Sequence, residues 1–452
     1  MLKPTNLKNG MKLLRFPKNN SNICVLGFVV QTGSVVEDGN YPQGISQLVE
    51  KVFWRGTYKH PSTRHLNTTL ETIGAKFYSF TTQESTQFFL EVPEYNQFKA
   101  ISFLAEIMQR SYFDARDIDL EKKNILEKIK NNFDIQEEMD ELTLSNLYNN
   151  SSLGLPIAGF VETVNQTTTT EVLDYLAHQY TPQSVTFVMA GNFDSKKSLD
   201  LLEQEFSVWN PKSKKILEAN PQDQLVFDDL PKITYRQRGI AQTYLSLAFV
   251  MDEGLRMPII ESESESVVDD IDQKQLIDQR LGQMANLMVL SAILGQGYSS
   301  RLWTKGVEEE SLFSQVESSL HYFFNTSFLE IKGNLENNQF SFGLECILSC
   351  LDSLRKTTVS INEISKAKGY LRGLLIREQD SVLMGTLWQV EQYIGSGLTF
   401  ELKELLYKIE KVEAAAVRSL ALDLFIPSRL SISTLGPAKE TRIVEKLIDK
   451  YL

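Results

Sequence analysis

The chain is poor in cysteine and has no long apolar run. Only Cys24, Cys346 and Cys350 occur in 452 residues, too few for a disulfide framework, which indicates a reducing compartment. Cys346 and Cys350 stand one helical turn apart with no His or Cys pair beside them, so we interpret them as apolar packing residues. Because no stretch of 18 or more apolar residues is present, we expect membrane association only through partners.

Histidine and positive charge are also scarce. The four histidines have no second His or carboxylate at ligand spacing, so packing or surface roles are expected for them. The 46 basic residues are outnumbered by 58 acidic ones, which argues against nucleic acid as a partner. The acidity concentrates around ESESESVVDDIDQ, which predicts an exposed insertion. The first residues match neither a secretory signal nor an organellar presequence, which leaves the localisation open.

Predicted strands and helices mix without the steady alternation of a parallel sheet, which indicates an α+β fold. In the first half, the strand-like GMKLLRFP and NICVLGFVVQTGS precede a helix at 43–54 and a shorter helix that ends at Gly74. Two strands with alternating aromatic residues follow, and then a helical region from about 95 to 150 with a break near Asp114 or Asp117. The second half repeats this order.

The clearest sign of duplication is a pair of matched segments, YTPQSVTFVMAG at 180–191 and FIPSRLSISTLG at 425–436. Each has an aromatic residue, a proline two residues later, an alternating strand and a terminal glycine at the same offset. The sequence therefore predicts two homologous α/β domains that face each other across a cleft. Their predicted ranges are 1–210 and 233–452, with a linker at 211–232 and the acidic insertion at about 256–276.

Over nearly its full length the chain resembles the pitrilysin-like family of zinc peptidases and their non-peptidase relatives, peptidase family M16. The segments that carry the resemblance are, in chain order, LKNGMKLL, TGSVVED, GISQLVEKVFWRGT, LETIGAKFYSFTTQESTQFFLEV and ILGQGYSSRL. The resemblance implies a clam-shaped molecule of two homologous domains with the LuxS/metallohydrolase-like fold.

In active members of this family, the helix at GISQLVEKVFWRGT carries the inverted zinc motif H-x-x-E-H. Histidines four residues apart share a helix face, so that both imidazoles reach one Zn²⁺ while the Glu activates the metal-bound water. The corresponding residues here are Gln47, Glu50 and Lys51. An amide is a poor zinc ligand beside imidazole, and an ammonium repels a dication, so both substitutions oppose zinc binding.

The other catalytic positions of the family are substituted as well. The third ligand, a Glu about 75 residues further on, falls on Lys128, with Glu121 at a supporting carboxylate position; a shift of one residue would bring Glu127 into register. The Arg and Tyr that hold the substrate in active relatives fall on Val307 and Ser314. We therefore predict a vestigial site with no catalytic residue, metal or cofactor, and a chain that is not an enzyme.

The apolar residues of the same helix are expected to keep a packing role. Ile45, Val49, Val52 and Phe53 recur at near-helical spacing and predict a stripe that faces the core. Without a metal, we expect Glu50 to form an ion pair with Lys51 or Lys128.

Family members that lack peptidase activity fall into three groups. They are core subunits of mitochondrial respiratory complex III (the cytochrome bc1 complex), the alpha subunit of the mitochondrial processing peptidase, and partner chains of bacterial heterodimeric peptidases. The bacterial partners usually keep the Arg and Tyr pair, and the alpha subunits normally have a long glycine-rich loop where LGQGYSSRL is short. The resemblance therefore favours core protein 2 of complex III, which supports the assembly of that complex.

This interpretation implies a location and a set of partners. The chain is expected on the matrix side of the mitochondrial inner membrane. Its implied partners are a homologous core 1 or processing peptidase beta-like subunit, cytochrome b, cytochrome c1 and the iron–sulfur protein. A processing peptidase alpha subunit that binds presequence peptides, alone or within complex III, is the alternative, and an active zinc metalloprotease is the third interpretation.

Overall fold

A computed structural model describes most of the chain. The described ranges are 4–131, 134–149, 151–209, 231–251, 270–396, 399–437 and 441–452. The predicted linker at 211–232 therefore falls almost entirely outside the described residues, and the acidic insertion at 256–276 falls mostly outside them. Within these ranges, no helix combines the length and the apolar character needed to cross a bilayer.

The first half of the chain contains elements β1 to β6 and α1 to α8. The strands are β1 Thr5–Asn6, β2 Lys12–Pro17, β3 Ile23–Val30, β4 Lys76–Thr81, β5 Thr86–Pro93 and β6 Val185–Gly191. The helices are α1 Ile45–Val52, α2 Thr63–Thr72, α3 Gln97–Arg110, α4 Ala115–Lys130, α5 Ile135–Leu147, α6 Val161–Gln166, α7 Thr169–Gln179 and α8 Ser195–Glu205. The predicted break in the long helical region is confirmed, since Asp114 caps α4 by accepting from the backbone N–H of Asp117 at 2.9 Å.

The second half contains elements β7 to β11 and α9 to α16. The strands are β7 Lys232–Gln237, β8 Gln242–Met251, β9 Phe313–Tyr322, β10 Ser327–Glu336 and β11 Leu430–Gly436. The helices are α9 Asp270–Gly295, α10 Arg301–Trp303, α11 Phe340–Lys356, α12 Ile361–Asp380, α13 Val382–Ser396, α14 Leu402–Lys411, α15 Ala414–Leu424 and α16 Thr441–Tyr451.

The described strands form two mixed sheets of the same design. Their strand orders are β1-β2-β6-β3-β5-β4 and β7-β11-β8-β10-β9. Strand β6 lies parallel to β2 and antiparallel to β3, just as β11 lies parallel to β7 and antiparallel to β8. Because β6 and β11 are the strands of the two matched segments, the sequence repeat is also a structural repeat. The predicted α+β fold of two homologous domains is confirmed.

The chain folds into two compact units, and each unit takes a segment from the opposite half of the chain. Unit 1 consists of Met1–Phe133, Asn150–Gln224 and Gln379–Ile394. Unit 2 consists of Asp134–Asn149, Leu225–Glu378 and Gly395–Leu452. The predicted domain ranges follow the repeat along the sequence, whereas the units draw on both repeats, and those ranges stay a prediction.

Helix α13 is the segment that unit 1 takes from the second half. Its residues Leu383, Val390 and Tyr393 are buried against Val25 and Val29 of β3, together with other residues on the same face of the first sheet. The opposite face of that sheet packs on α1 and α3. The first sheet is therefore covered on both faces within unit 1.

Helix α5 is the segment that unit 2 takes from the first half. Met139 and Leu142 pack against Leu435 of β11. Asn146 Nδ2 donates to the carbonyl oxygen of Ile432 at 3.0 Å. Backbone and apolar contacts thus join α5 to the second sheet.

We expect Tyr393→Ala to destabilise the first sheet, although Tyr393 belongs to the second half of the chain. The side chain is 1% exposed, so its removal leaves a cavity that costs about 3–5 kcal/mol. Native-state hydrogen exchange should speed up in β3 and β6 and stay unchanged in β8 and β11. Phe425→Ala, at a fully buried position beside Phe249 of β8, should instead speed up hydrogen exchange in β8 and β11 and leave β3 and β6 unchanged. Equal changes in both sheets would refute the assignment of α13 to unit 1.

Candidate functional site

Helix α1 is fixed in the core of unit 1 by its apolar stripe. Ile45, Val49, Val52 and Phe53 are all buried, and the ring of Phe53 lies 5.2 Å from that of Phe88 on β5. This confirms the packing role that the sequence predicts. Since the stripe faces the core, the remaining side of the helix carries the polar residues toward β4 and α4.

Glu50 is a buried carboxylate surrounded by donors. It is 1% exposed and accepts hydrogen bonds from the Ser79 and Thr81 hydroxyls of β4, the latter at 3.3 Å. Lys51 Nζ lies 2.9 Å from Glu50 Oε1, and the Lys51 side chain is 42% exposed. The structure thus forms the ion pair between Glu50 and Lys51 that the sequence allowed. Sequence reasoning gave Ser79 and Thr81 no role, although strand alternation places both on one face of β4.

Gln47 on α1 and Glu121 on α4 differ in how their buried polar atoms are satisfied. Gln47 Oε1 is buried and has no hydrogen-bond partner among the described residues. Glu121 is buried on α4, where it pairs with the Arg55 guanidinium and accepts from Asn124 Nδ2 at 3.0 Å. Glu121 is therefore a neutralised carboxylate that ties α4 to the end of α1.

Lys128 lies two helical turns after Glu121 and so shares its side of α4. Both Lys128 and the neighbouring Glu127 are exposed. Successive helical residues diverge by about 100°, and Glu127 therefore points to a different side of α4 from Glu121. The assignment of Lys128 as the third ligand position stays a prediction.

Val307 and Ser314 belong to unit 2. Val307 lies in a π-helical segment, Thr304–Glu309, directly after α10. Ser314 is exposed near the start of β9 and accepts from Gln242 Nε2 at 2.9 Å. The other five predicted site residues belong to unit 1.

Glu37 supports the start of α1, and the sequence alone did not reveal this role. The carboxylate is 1% exposed and accepts from the backbone N–H groups of Gly44 at 2.7 Å and Ser46 at 2.8 Å. The Ser46 hydroxyl in turn lies 2.8 Å from the Tyr175 hydroxyl. These bonds satisfy N–H groups that every helix leaves open at its first turn. A local capping motif could not have signalled this, because Glu37 reaches α1 from a preceding loop.

Burial raises the pKa of Glu37 from 4.5 to about 7, against the opposing hydrogen bonds from Ser46 and Gly44. The folded chain therefore holds one more proton than the unfolded chain between these two values. The stability due to this proton is fully present below about pH 4.5 and is lost as the pH rises through 7, by roughly 3 kcal/mol in total. In Glu37→Gln, the unfolding free energy should therefore decrease less steeply between about pH 5 and pH 8 than in the wild type.

Denaturant unfolding at a series of pH values measures this slope. The exposed acid Glu162 provides the matched control, since Glu162→Gln should leave the slope unchanged. An identical pH dependence in the wild type and in Glu37→Gln would contradict the assignment.

Zinc, the metal of the resembled family, does not fit the residues on α1. The one carboxylate, Glu50, already receives three donors, and Lys51 places an ammonium within 2.9 Å of it. A dication beside Glu50 would therefore meet a positive charge at close range. Among the described residues, no group of three or more His, Cys, Asp or Glu could hold a metal ion.

Comparison with known families gives two matches in chain order. The model for Insulinase (Peptidase family M16) matches residues 16–160, and the model for the Peptidase M16 inactive domain matches residues 167–371. An uncharacterized zinc protease of Bacillus subtilis, YmxG, is 26% identical over 94% of this chain and 96% of its own length. The beta subunit of the mitochondrial processing peptidase of Dictyostelium discoideum is 27% identical over 45% of this chain and 44% of its own length.

Solved structures share the fold over almost the whole chain. A protease from Helicobacter pylori has a TM-score of 0.81 at 17% identity, covering 97% of this chain and 99% of its own. A chain of complex III from Candida albicans has a TM-score of 0.76 at 17% identity, covering 99% of this chain and 100% of its own. At such low identity these two likenesses show the fold alone.

The prediction that the chain is not an enzyme is wrong, because bacterial relatives that it matches over nearly its full length are named zinc proteases. The substitutions at the ligand positions bear on whether this chain itself holds zinc, and they do not decide whether the protein takes part in peptide hydrolysis. The predicted mitochondrial role is more specific than the similarities support, because the similar proteins include bacterial proteases as well as a complex III chain. Two consecutive family matches and a shared two-domain fold establish that the chain belongs to peptidase family M16.

Proposed function

We propose that the chain acts in peptide hydrolysis as a peptide-binding subunit of an M16 zinc peptidase, with the zinc held on a second M16 chain. The observation that carries the proposal is the site on α1, where the apolar stripe and Glu50 are kept and other residues stand at the zinc-ligand positions. Glu50 is held against β4 by Ser79 and Thr81, while Lys51 takes a histidine position of the motif. The zinc protease relatives support the reaction class.

Strand β4 offers a place for the peptide. In the part of the chain that the structure describes, β4 is the outer strand of the first sheet and pairs only with β5. An edge strand leaves backbone N–H and C=O groups open, and an extended peptide binds by adding a strand to such an edge. A peptide paired with β4 would run beside Ser79 and Thr81, and hence beside Glu50 and Lys51. This binding requires no metal on this chain.

Hydrogen exchange and an activity assay test the proposal together. A fluorescent peptide should slow the exchange of the β4 amides at 76–81 and leave β1, the strand at the other edge of the sheet, unchanged. A quenched peptide should be cleaved only when a zinc-binding M16 chain from the same genome is added. Chelator-sensitive cleavage by this chain alone would refute the placement of zinc on a second chain, and unchanged β4 exchange would refute the binding role.

A second candidate is core protein 2 of mitochondrial complex III, on the matrix side of the inner membrane. The complex III chain with the same fold and the processing peptidase relative support it. In this role the chain would pair with a core 1 or beta-like subunit and contact cytochrome b, cytochrome c1 and the iron–sulfur protein. Binding of presequences in an alpha-subunit role is its variant.

Native purification followed by mass spectrometry separates the two candidates. Co-purification with cytochrome b, cytochrome c1 and the iron–sulfur protein supports the complex III role. Co-purification with a second M16 chain and none of these proteins refutes it and agrees with the peptidase role.

A further inference from the structure

We infer that Lys51 makes the site on α1 an anchor for the free C-terminal carboxylate of a peptide bound along β4. The inference rests on the proposed peptide-binding function and adds the class of ligand. Zinc does not fit the residues on α1, where the group at a metal-ligand position is itself a cation. An ammonium at that place can bind an anion, but it cannot replace zinc in activating water.

The ion pair between Lys51 and Glu50 is unequal in exposure. Glu50 is 1% exposed and turns its oxygens to Ser79, Thr81 and Lys51, whereas the Lys51 side chain is 42% exposed. An ammonium has three N–H donors, and the contact with Glu50 Oε1 uses one of them. The pair therefore holds the amine in position by one bond and leaves N–H donors of Lys51 for a ligand.

The exposed charge of the ion pair on α1 is the positive one, because Glu50 is buried and the Lys51 side chain is 42% exposed. Both carboxylates of the predicted site are buried, Glu50 at 1% and Glu121 at 8% exposure, and Glu121 is neutralised by Arg55. On α1 the site therefore turns an ammonium toward the exposed side and keeps its carboxylate buried. An exposed ammonium is complementary to an anionic ligand.

The position of Lys51 relative to β4 selects the end of a peptide. Glu50 bonds to Lys51 and to the Ser79 and Thr81 hydroxyls, so the ammonium lies one side chain away from β4. A peptide added to β4 offers neutral carbonyl groups along its length and a charged carboxylate only at its C-terminus or on acidic side chains. A charge-assisted bond is about twice as strong as a neutral one. A carboxylate is therefore the group that Lys51 favours, and the C-terminus supplies one in every peptide, whatever its sequence.

Fluorescence anisotropy with three versions of one peptide tests the inference. The versions carry a free C-terminal acid, a C-terminal amide, and a C-terminal amide after an added Asp. We expect the free acid to bind about ten-fold more tightly than the amide, with a preference that shrinks at high salt. K51M should reduce the acid to the level of the amide, K51R should keep the preference, and K196M, at an exposed lysine of α8, should change nothing.

Each outcome has one meaning. Equal binding of the acid and the amide by the folded wild type overturns the inference and leaves the proposed peptide binding intact, whereas no binding of any version refutes the proposed function itself. Equal binding of the free acid and the amidated Asp peptide overturns the selection of the terminus. If K51M fails to fold because Glu50 loses its partner, E50Q/K51M removes both charges, and persistence of the acid preference in that variant overturns the role of Lys51.

Discussion

The variant Q47H/K51H/K128E is expected to bind about one zinc ion per chain. Histidines at 47 and 51 are four residues apart and share the side of α1 that carries Glu50, so both imidazoles can reach one metal. The change of Lys51 also removes the ammonium that now lies 2.9 Å from Glu50 Oε1. A glutamate at 128 would add a carboxylate from α4, the helix that packs on α1. Three such ligands are the usual set of a catalytic zinc site.

Metal analysis after dialysis measures the zinc, and thermal unfolding with and without a chelator measures its effect on stability. Zinc at 100 times its Kd should stabilise the variant by about 2.7 kcal/mol, because a ligand that binds only the folded state shifts the equilibrium. Q47H/K51M, which has one imidazole, should bind no more zinc than the wild type. Absence of zinc from the triple variant would show that the side of α1 with Glu50 does not have the geometry of the family motif.

The double variant Q47H/K51H settles which residue of α4 stands at the third position. With Lys128 kept and Glu121 paired with Arg55, Glu127 is the carboxylate of α4 that would have to act as the third ligand. It can do so only if it is in register, whereas Lys128 shares the side of Glu121. We expect zinc in the triple variant and little in the double variant. Equal zinc in both variants would place Glu127 at the ligand position.

Features that depend on neighbours in sequence could be predicted from the sequence. The stripe of Ile45, Val49 and Val52 follows from helical spacing, and the cap at Asp114 follows from its side chain and the break in the pattern. The match between β6 and β11 could be found because a duplicated segment repeats its turn and strand residues at fixed offsets. In each case one short segment contains the whole signal.

Features that depend on distant contacts could not be predicted in this way. The exchange of α5 and α13 between the units is set by apolar faces, and such a face does not specify which sheet will cover it. Glu37 reaches the start of α1 from another loop. The substitutions at Gln47 and Lys51 correctly indicated a changed ligand set, but residues of one chain could not show whether the protein acts in peptide hydrolysis.

The start of α1 depends on Gly44, and Gly44→Ala is expected to lower the thermal midpoint of unit 1 by about 6–12 °C. Gly44 is the N-cap residue, with φ at 95°, a conformation that strains residues with a side chain. A Cβ there would lie 2.5 Å from the carbonyl oxygen of Ala158, a backbone atom that cannot turn away. Strain and steric clash together cost about 3 kcal/mol, and 1 kcal/mol corresponds to about 2–4 °C for a unit of this size.

Gly39→Ala separates the clash from the strain. Gly39 also has a positive φ, 72°, but no atom lies within 4 Å of the Cβ that alanine would add. Its replacement should therefore cost only the backbone strain, about 1 kcal/mol, or about 2–4 °C. Because Gly44 also donates its N–H to Glu37 at 2.7 Å, a shift of α1 in Gly44→Ala should weaken the pH dependence due to Glu37, whereas Gly39→Ala should preserve it. Equal thermal midpoints for the two variants would mean that the segment around Ala158 moves to relieve the clash at little cost. The position of α1 would then depend on its apolar stripe alone.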